Sequence, residues 1–333
     1  MQEPSSNKID TAIQLLRAGR LIAFPTETVY GLGANACNPK AVRRIFEVTR
    51  RPEDHPLILH LASVEKLDYW ARDISEKAWL LAEHFWPGPL TLILKRRYAP
   101  IEVTGVQDTV GLRVPDHPMA LAILKAFGGG VATTSANQFG QLGPTRARHV
   151  HKELVSKVDM ILDGGRCRVG VESTILSLAE EQPRLLRPGS IPLSKLQKVL
   201  GSEINTQTST GDASTQGIHR LHSAPLTRLE VWPIDLLKHR GEELAHSGIR
   251  TAMIFIGSVN CEITETSKLF PFFIPAEPED YARKLYAVLR LLDGAGFGAL
   301  LAEMPPDTEA WQAVNDRLQR ACCNSYHVGK FRA

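Results

Sequence analysis

The sequence predicts an α/β protein built as two domains, and three observations carry that expectation. Short apolar runs of strand length alternate with longer stretches whose apolar residues recur at helical spacing. A chain of 333 residues is long enough for two hydrophobic cores. Residues 201–217 then change character: Ser, Thr, Gln, Gly and Asp dominate and Ile204 is the single large apolar residue, so this stretch is a linker by composition. Domain limits are expected at 1–200, 201–225 and 226–333.

In chain order, Ile9 to Ala18 carries Ile9, Ala12, Ile13 and Leu16 at helical spacing, with Gly19 as a stop. Leu21-Ile22-Ala23-Phe24 reads as a buried strand that Pro25 ends, because proline cannot donate to a ladder. Asn38-Pro39 reads as an N-cap with proline in the first turn of a helix through Val42, Ile45 and Phe46. Strands are expected at Leu57–Leu61, Leu90–Leu94 and Val110–Val114, with helices at Ser63–Ala71 and Ser75–Phe85. Asp116 is placed as the cap of a helix through Leu121 and Leu124 that Gly128-Gly129-Gly130 closes. Val131 to Asn137 runs from strand into a polar turn, Met160–Leu162 and Ser173–Leu178 are further strands, and Ile191 to Leu200 is a helix. Beyond the linker, strands at 229–234, 251–256 and 298–302 alternate with helical patterns at 236–245, 279–292 and 308–322. That alternation argues for a small α/β domain with a mostly parallel sheet.

Composition narrows the function classes. Apolar residues at 43% and charged residues at 23% fit a globular chain, and a net charge of +3 is too small to announce a nucleic-acid binder. Cys37, Cys167, Cys261, Cys322 and Cys323 are odd in number and form no Cys-x-x-Cys pair, which argues against a disulfide framework and a zinc site and for a reducing cytoplasm. The start of the chain lacks a basic segment followed by an apolar one, so no secretory signal is expected. No apolar run approaches the roughly 20 residues that span a bilayer. Phosphate-loop, nucleophile-elbow and His-Glu-x-x-His motifs are absent, and Gly31-Leu32-Gly33 lacks the third glycine of a dinucleotide fingerprint.

The chain is organised around Pro25-Thr26-Glu27-Thr28-Val29-Tyr30-Gly31-Leu32-Gly33. Two hydroxyls, a carboxylate and a phenol leave the end of a buried strand, where open α/β sheets place ligands. Gly31 and Gly33 suit a sharp turn or close approach to a ligand. Hydroxyls in such a loop equally satisfy local backbone groups. Further hydroxyls and arginines stand at other strand ends: Thr109 and Arg113, then Thr133, Thr134, Ser135 and Asn137, then Ser173, Thr174 and Arg187. Guanidinium forks stay charged and match carboxylate and phosphate, so their gathering on one sheet edge would suit an anionic ligand.

These residues fall in an ordered series of motifs that includes Arg51-Pro52 with Pro56-Leu57, Pro87-Gly88-Pro89-Leu90-Thr91, Thr133-Thr134-Ser135-Ala136-Asn137, Gly143-Pro144-Thr145, Asp163-Gly164-Gly165, Glu172-Ser173-Thr174 and Arg187-Pro188-Gly189. The series resembles the YrdC-like family, the threonylcarbamoyl-AMP synthases, in its long two-domain form. The resemblance implies an N-terminal YrdC-like twisted mixed sheet with helices around a cationic cavity, and a small C-terminal Rossmann-like α/β domain. It implies a nucleotidyltransferase that joins L-threonine, bicarbonate and ATP into threonylcarbamoyl-AMP and pyrophosphate. ATP would bring Mg2+, with no organic cofactor. A downstream transferase complex would then pass the group to tRNA adenosine beside the anticodon, with a possible tRNA contact by this chain. By motif, Thr28, His60, Arg113, Thr133 and Ser173 should surround threonine or its carbamate. Arg51, His55, Thr109, Ser135, Gly143 and Arg187 should face ATP, with Arg51 and Arg113 catalytic.

The chain departs from that family's pattern in three places. Thr49 stands where lysine is usual, with Arg50 as the candidate substitute, and His55 stands where asparagine is usual. The segment that folds over the site in long members is His219-Arg220-Leu221-His222-Ser223-Ala224-Pro225 here; it loses both tyrosines and keeps His222 as the expected lid residue. Two other readings follow: an RNA-binding module using Arg146, Arg148, His149, His151 and Lys152, and a paralogue redirected to another carbamoyl transfer.

Overall fold

The computed structural model describes residues 6–206, 223–258 and 268–322. Two compact units emerge: one of residues 1–139 and 143–221, the other of residues 140–142 and 222–333.

The first unit is built on a ten-stranded sheet. Its strands are β1 (Ile22–Phe24), β2 (Gly31–Asn35), β3 (Ile58–His60), β4 (Ala71–Arg72), β5 (Leu90–Arg96), β6 (Thr109–Arg113), β7 (Val131–Ser135), β8 (Met160–Ile161), β9 (Thr174–Ser177) and β10 (Arg184–Arg187). Their order is β10-β9-β5-β6-β3-β7-β2-β1-β8, with β4 paired to β5. Parallel pairs such as β3 with β6 sit beside antiparallel pairs such as β3 with β7, so the sheet is mixed. On one face, Ala23, Leu32, Ala34, Leu59, Leu92, Leu112, Ala132 and Leu176 build the main core with Val42 and Ile45 of the helix Pro39–Thr49 and Leu81 of the helix Glu76–Phe85. On the other face, Ile22, Phe24 and Val131 pack with Ala12 and Leu16 of the helix Ser6–Arg17 and with Ile123 and Leu124 of the helix Pro118–Phe127.

Most local expectations hold, and the exceptions have clear causes. Asn38 caps its helix as its composition suggests, accepting from Ala41 N at 3.2 Å. The cap of the helix Pro118–Phe127 is His117 rather than Asp116, because Pro118 fixes the first turn one residue later. Asp116 is drawn instead into an ion pair with Arg168.

Of the two readings open to Gly31 and Gly33, the sharp turn does not occur. They lie in β2, where a Cβ on Gly31 would stand 2.7 Å from Thr133 Cγ2, and one on Gly33 would stand 2.7 Å from Val131 Cγ1 and 2.8 Å from Phe24 Cε1. Here glycine serves close side-chain packing across β1, β2 and β7. Strand β10 was also not expected, since Arg184–Arg187 brackets only two leucines with charge.

The second unit carries a four-stranded parallel sheet of β11 (Leu229–Trp232), β12 (Thr251–Ile256), β13 (Leu269–Ile274) and β14 (Ala299–Glu303), in the order β11-β14-β12-β13. Leu237 and Leu244 of the helix Ile234–His246 cover Met253, Phe255, Leu269 and Leu301. The helices Pro278–Asp293 and Gln312–Ala321 complete it. The strand β13 was missed because Pro271 interrupts an otherwise aromatic run, LFPFFI.

Replacing Gly33 with alanine should cost about 1–3 kcal/mol through overpacking, read as a lower midpoint in chemical denaturation. Unchanged stability would contradict the packing role.

Candidate active site

Strand register decides which side chains can meet. Residues directly opposite on paired strands share a face, and each strand alternates faces. His60 pairs with Arg113 and Val131, Ile58 with Gly111 and Thr133, Gly31 with Ser135, and Lys95 with Thr109. Continuing into β9 and β10, Ile175 pairs with Thr91 and Arg187. Thr109, Arg113, His60, Thr133, Ser135, Thr91 and Arg187 therefore all occupy the face opposite the main core.

The arrangement spans a face rather than one sheet edge. Thr109 opens β6 and Arg113 ends it, about 13 Å apart along the strand. Thr109 and Ser135 lie toward one end of the register, and His60, Arg113, Thr91 and Arg187 toward the other.

The organising loop is held above this face by its neighbours. Val169 N donates to Glu27 O at 2.8 Å, Gly170 N to Thr28 O at 3.2 Å, and Tyr30 N to Pro144 O at 2.7 Å. The Tyr30 hydroxyl donates to Gly165 O at 2.7 Å and accepts from Gly164 N at 3.2 Å, tying the loop to the Asp163–Gly165 turn. Burial raises the Tyr30 pKa, so the phenol stays protonated in this role. The Thr26 hydroxyl donates to Val29 O at 2.6 Å and meets Thr28 Oγ1 at 2.9 Å. Two motifs far apart in sequence are thus one latch.

Three polar groups form on the face. In the first, Arg113 donates from Nε to Gly88 O at 3.2 Å and from Nη2 to Thr28 Oγ1 at 3.0 Å. Its Nη2 also lies 2.8 Å from Glu27 Oε1, with both side chains sealed. In the second, the Ser173 hydroxyl shares a hydrogen bond with Thr91 at 2.8 Å. Arg187 donates to Ser173 O at 3.0 Å and to its Oγ at 3.2 Å. In the third, Arg51 donates from Nη2 to Ser135 Oγ at 3.0 Å and lies 5.5 Å from the Phe139 ring centre, while His55 meets that ring edge-on at 5.4 Å.

Burial governs the charge states. Arg51 is buried, and desolvation pushes its pKa down to about 10, partly offset by Glu172, so it remains a cation near neutral pH. His60 is 4% exposed and its Nδ1 makes no hydrogen bond with the described residues. Desolvation first, and the Arg113 charge second, hold its pKa well below 6.5. His60 therefore stands over the face as a neutral imidazole with a nitrogen to offer.

Of the other expected residues, Thr133 is buried and donates to Val131 O at 3.1 Å, and Thr109 donates to Gln107 Oε1 at 3.3 Å. Gly143 is buried in the turn before Pro144, whose carbonyl receives Tyr30 N. His222 lies outside the described residues. Arg187 donates to Ser173, whose neighbour Glu172 acts electrostatically on Arg51, the donor to Ser135.

The family model described as "Telomere recombination" matches residues 14–189, and that described as "Threonylcarbamoyl-AMP synthase, C-terminal domain" matches residues 191–323. Threonylcarbamoyl-AMP synthase of Pyrococcus abyssi is 41% identical over 94% of both chains. The chain belongs to the threonylcarbamoyl-AMP synthase family. The Bacillus subtilis member is 38% identical, covering 94% of this chain and 92% of its own. A crystal structure of Pyrococcus abyssi Sua5 complexed with L-threonine superposes with a TM-score of 0.86 at 37% identity, over 97% of this chain and 96% of that one.

Against the threonylcarbamoyl-AMP synthase pattern, Thr49 is fully buried and its hydroxyl donates to Ile45 O at 2.6 Å. Arg50, the candidate substitute for the usual lysine, is the exposed left-handed C-cap of its helix, with φ 55°. In the basic run, the helix Ala147–Leu154 turns His149 inward, where its Nδ1 accepts from Thr145 N at 3.2 Å, so the run is not one continuous surface. Sequence reasoning passed over Glu27, Gly88 O, Thr91 and Phe139. The first three sat inside quoted motifs, and a carboxylate between two threonines was the local sign of Glu27.

The His60 assignment has a direct check. Its ring should stay neutral in an NMR titration from pH 8 to 6. The unfolded His60 takes up a proton below about 6.5 while the folded one resists, so its contribution to stability is lost as pH falls below that value. A His60 titration near 6.5 would contradict its placement.

Proposed function

We propose that this chain is an L-threonylcarbamoyladenylate synthase. The observation that carries the reading is a near full-length likeness to threonylcarbamoyl-AMP synthases, joined to a sheet face whose buried guanidiniums and hydroxyls match the anions of the reaction. Threonine carboxylate, bicarbonate and ATP are all anions, and two like charges ~4 Å apart repel by about 4 kcal/mol at an effective dielectric near 20. Fixed cations offset that repulsion without reorganising as the reaction proceeds.

On this reading, Arg113 and Thr28 bind the threonine carboxylate, with His60, Thr133 and Ser173 around the amino acid and its carbamate. Arg51, His55, Thr109, Ser135 and Gly143 hold the nucleotide. Arg187 also faces the nucleotide and donates to the Ser173 hydroxyl. The amine of threonine adds to bicarbonate carbon, giving a carbamate and water. A carbamate oxygen then attacks the α-phosphorus of ATP and pyrophosphate leaves in line, with Arg51 and Arg113 answering the developing charge.

Among the described residues no group of three or more His, Cys, Asp or Glu is arranged to hold a metal. ATP would bring magnesium on its own phosphates, as is usual for an ion that keeps most of its waters, and no dedicated protein cage is assigned. The product would pass to a transferase complex acting on tRNA. No helix among the described residues is long and apolar enough to cross a membrane. A reducing cytoplasm suits a product destined for tRNA and the thiols of Cys37 and Cys167, which form no disulfide with the described residues.

Pyrophosphate release should require threonine, bicarbonate and MgATP together, and threonine-independent release would sink the reading. Arg113→Lys keeps the charge but loses the fork held by Gly88 and Thr28. It should lower kcat/KM for threonine about 100-fold, roughly 3 kcal/mol.

A further inference from the structure

Glu27 has no task in the substrate assignment, yet it is among the most deeply sealed polar groups on the face. Its side chain is 0% exposed, and neither carboxylate oxygen makes an aligned hydrogen bond with the described residues. A fixed negative charge beside a site for anions opposes every substrate that enters. Such a charge needs a compensating role.

The surroundings of Arg113 supply one. Its Nε is tied to Gly88 O and its Nη2 to Thr28 Oγ1, and Glu27 Oε1 adds its charge on the Nη2 side at 2.8 Å. That leaves Nη1 as the arm without a hydrogen bond to the described residues. Glu27 itself is placed by its backbone, whose carbonyl receives Val169 N at 2.8 Å, so its side chain is not what shapes the loop. Burial pushes the nearby Cys167 thiol up to about 12 and holds the nearby His117 imidazole below its ordinary value, so neither is charged at neutral pH. The cation that answers Glu27 is Arg113.

We propose that Glu27 is a positioning residue for Arg113: its sealed charge pins the Nη2 side of the guanidinium against the organising loop and presents Nη1 to the carboxylate of threonine. The interaction works through charge rather than through an aligned hydrogen bond. A glutamine of the same shape therefore cannot replace it, whereas a shorter carboxylate replaces it in part. The inference rests on the reading of Arg113 as the carboxylate ligand.

Calorimetric threonine binding and steady-state pyrophosphate release on the full chain test it, with threonine and ATP varied separately. Glu27→Gln should weaken threonine binding and raise its KM at least tenfold, lower kcat by less, and leave the KM for ATP within twofold. Glu27→Asp should recover part of the loss. Once Arg113→Gln has removed the guanidinium, adding Glu27→Gln should weaken threonine binding no further. A Glu27→Gln variant that binds threonine as the wild type does overturns the proposal, and so does a further tenfold loss in the Arg113→Gln background. Both outcomes leave the proposed function standing. Unchanged threonine binding in Arg113→Gln alone removes instead the reading beneath it. Should Glu27→Gln fail to fold, the comparison of Arg113→Gln with the double variant, which buries neither charge, decides by the same criterion.

Discussion

The register of the ten-stranded sheet is the constraint on which the site depends. A side chain in a strand has two choices of face, and a slip of one residue would exchange them all. In this sheet the exchange would bury His60, Arg113, Thr133 and Ser135 in the main core and turn Leu59, Leu112 and Ala132 toward the ligand side. Packing of the apolar face against the helices Pro39–Thr49 and Glu76–Phe85 therefore fixes the chemistry of the opposite face. Gly31 and Gly33 serve the same end, because they let β2 lie flush against Phe24, Val131 and Thr133.

Above that face the polar groups are connected rather than merely gathered. Arg113 is shared between the organising loop and the Gly88 turn, and Arg187 between β10 and Ser173. Arg51 is shared between the loop after its helix and the end of β7. Each guanidinium thus joins segments distant in sequence, and each is kept from full solvation, so its charge acts in a medium where it counts for more than in water. His60 completes the balance in the opposite sense: the burial and the Arg113 charge that keep it neutral also prevent it from adding a further cation to the cluster.

The departures from the family pattern read differently once packing is known. Thr49 occupies a sealed position with its hydroxyl bonded inside its own helix, and its carbonyl accepts from Phe139 N at 2.7 Å. Its role is to join that helix to the segment after β7, which carries the ring beside Arg51 and His55. Arg50 is turned outward at a left-handed cap, which leaves Arg51 as the buried cation of this segment.

Much of this protein was legible in its sequence. Periodicity gave most helices and strands, because burial of one face imposes its spacing on the residues themselves. The ordered motifs gave the family, and Asn38-Pro39 gave a helix start to the residue. Interactions spanning many residues were not legible. Nothing local says that Gly31 and Gly33 are strand rather than turn, since glycine permits both and only the crowding by Phe24, Val131 and Thr133 chooses. Nothing local says that Thr109 and Arg113 stand at opposite ends of one strand's share of the site, or that Glu27 closes on Arg113 across 86 positions. The sequence by itself determined which chemical groups are available and which segments carry them. Which of them face one another was decided by strand pairing, because register is a property of two segments and neither one contains it.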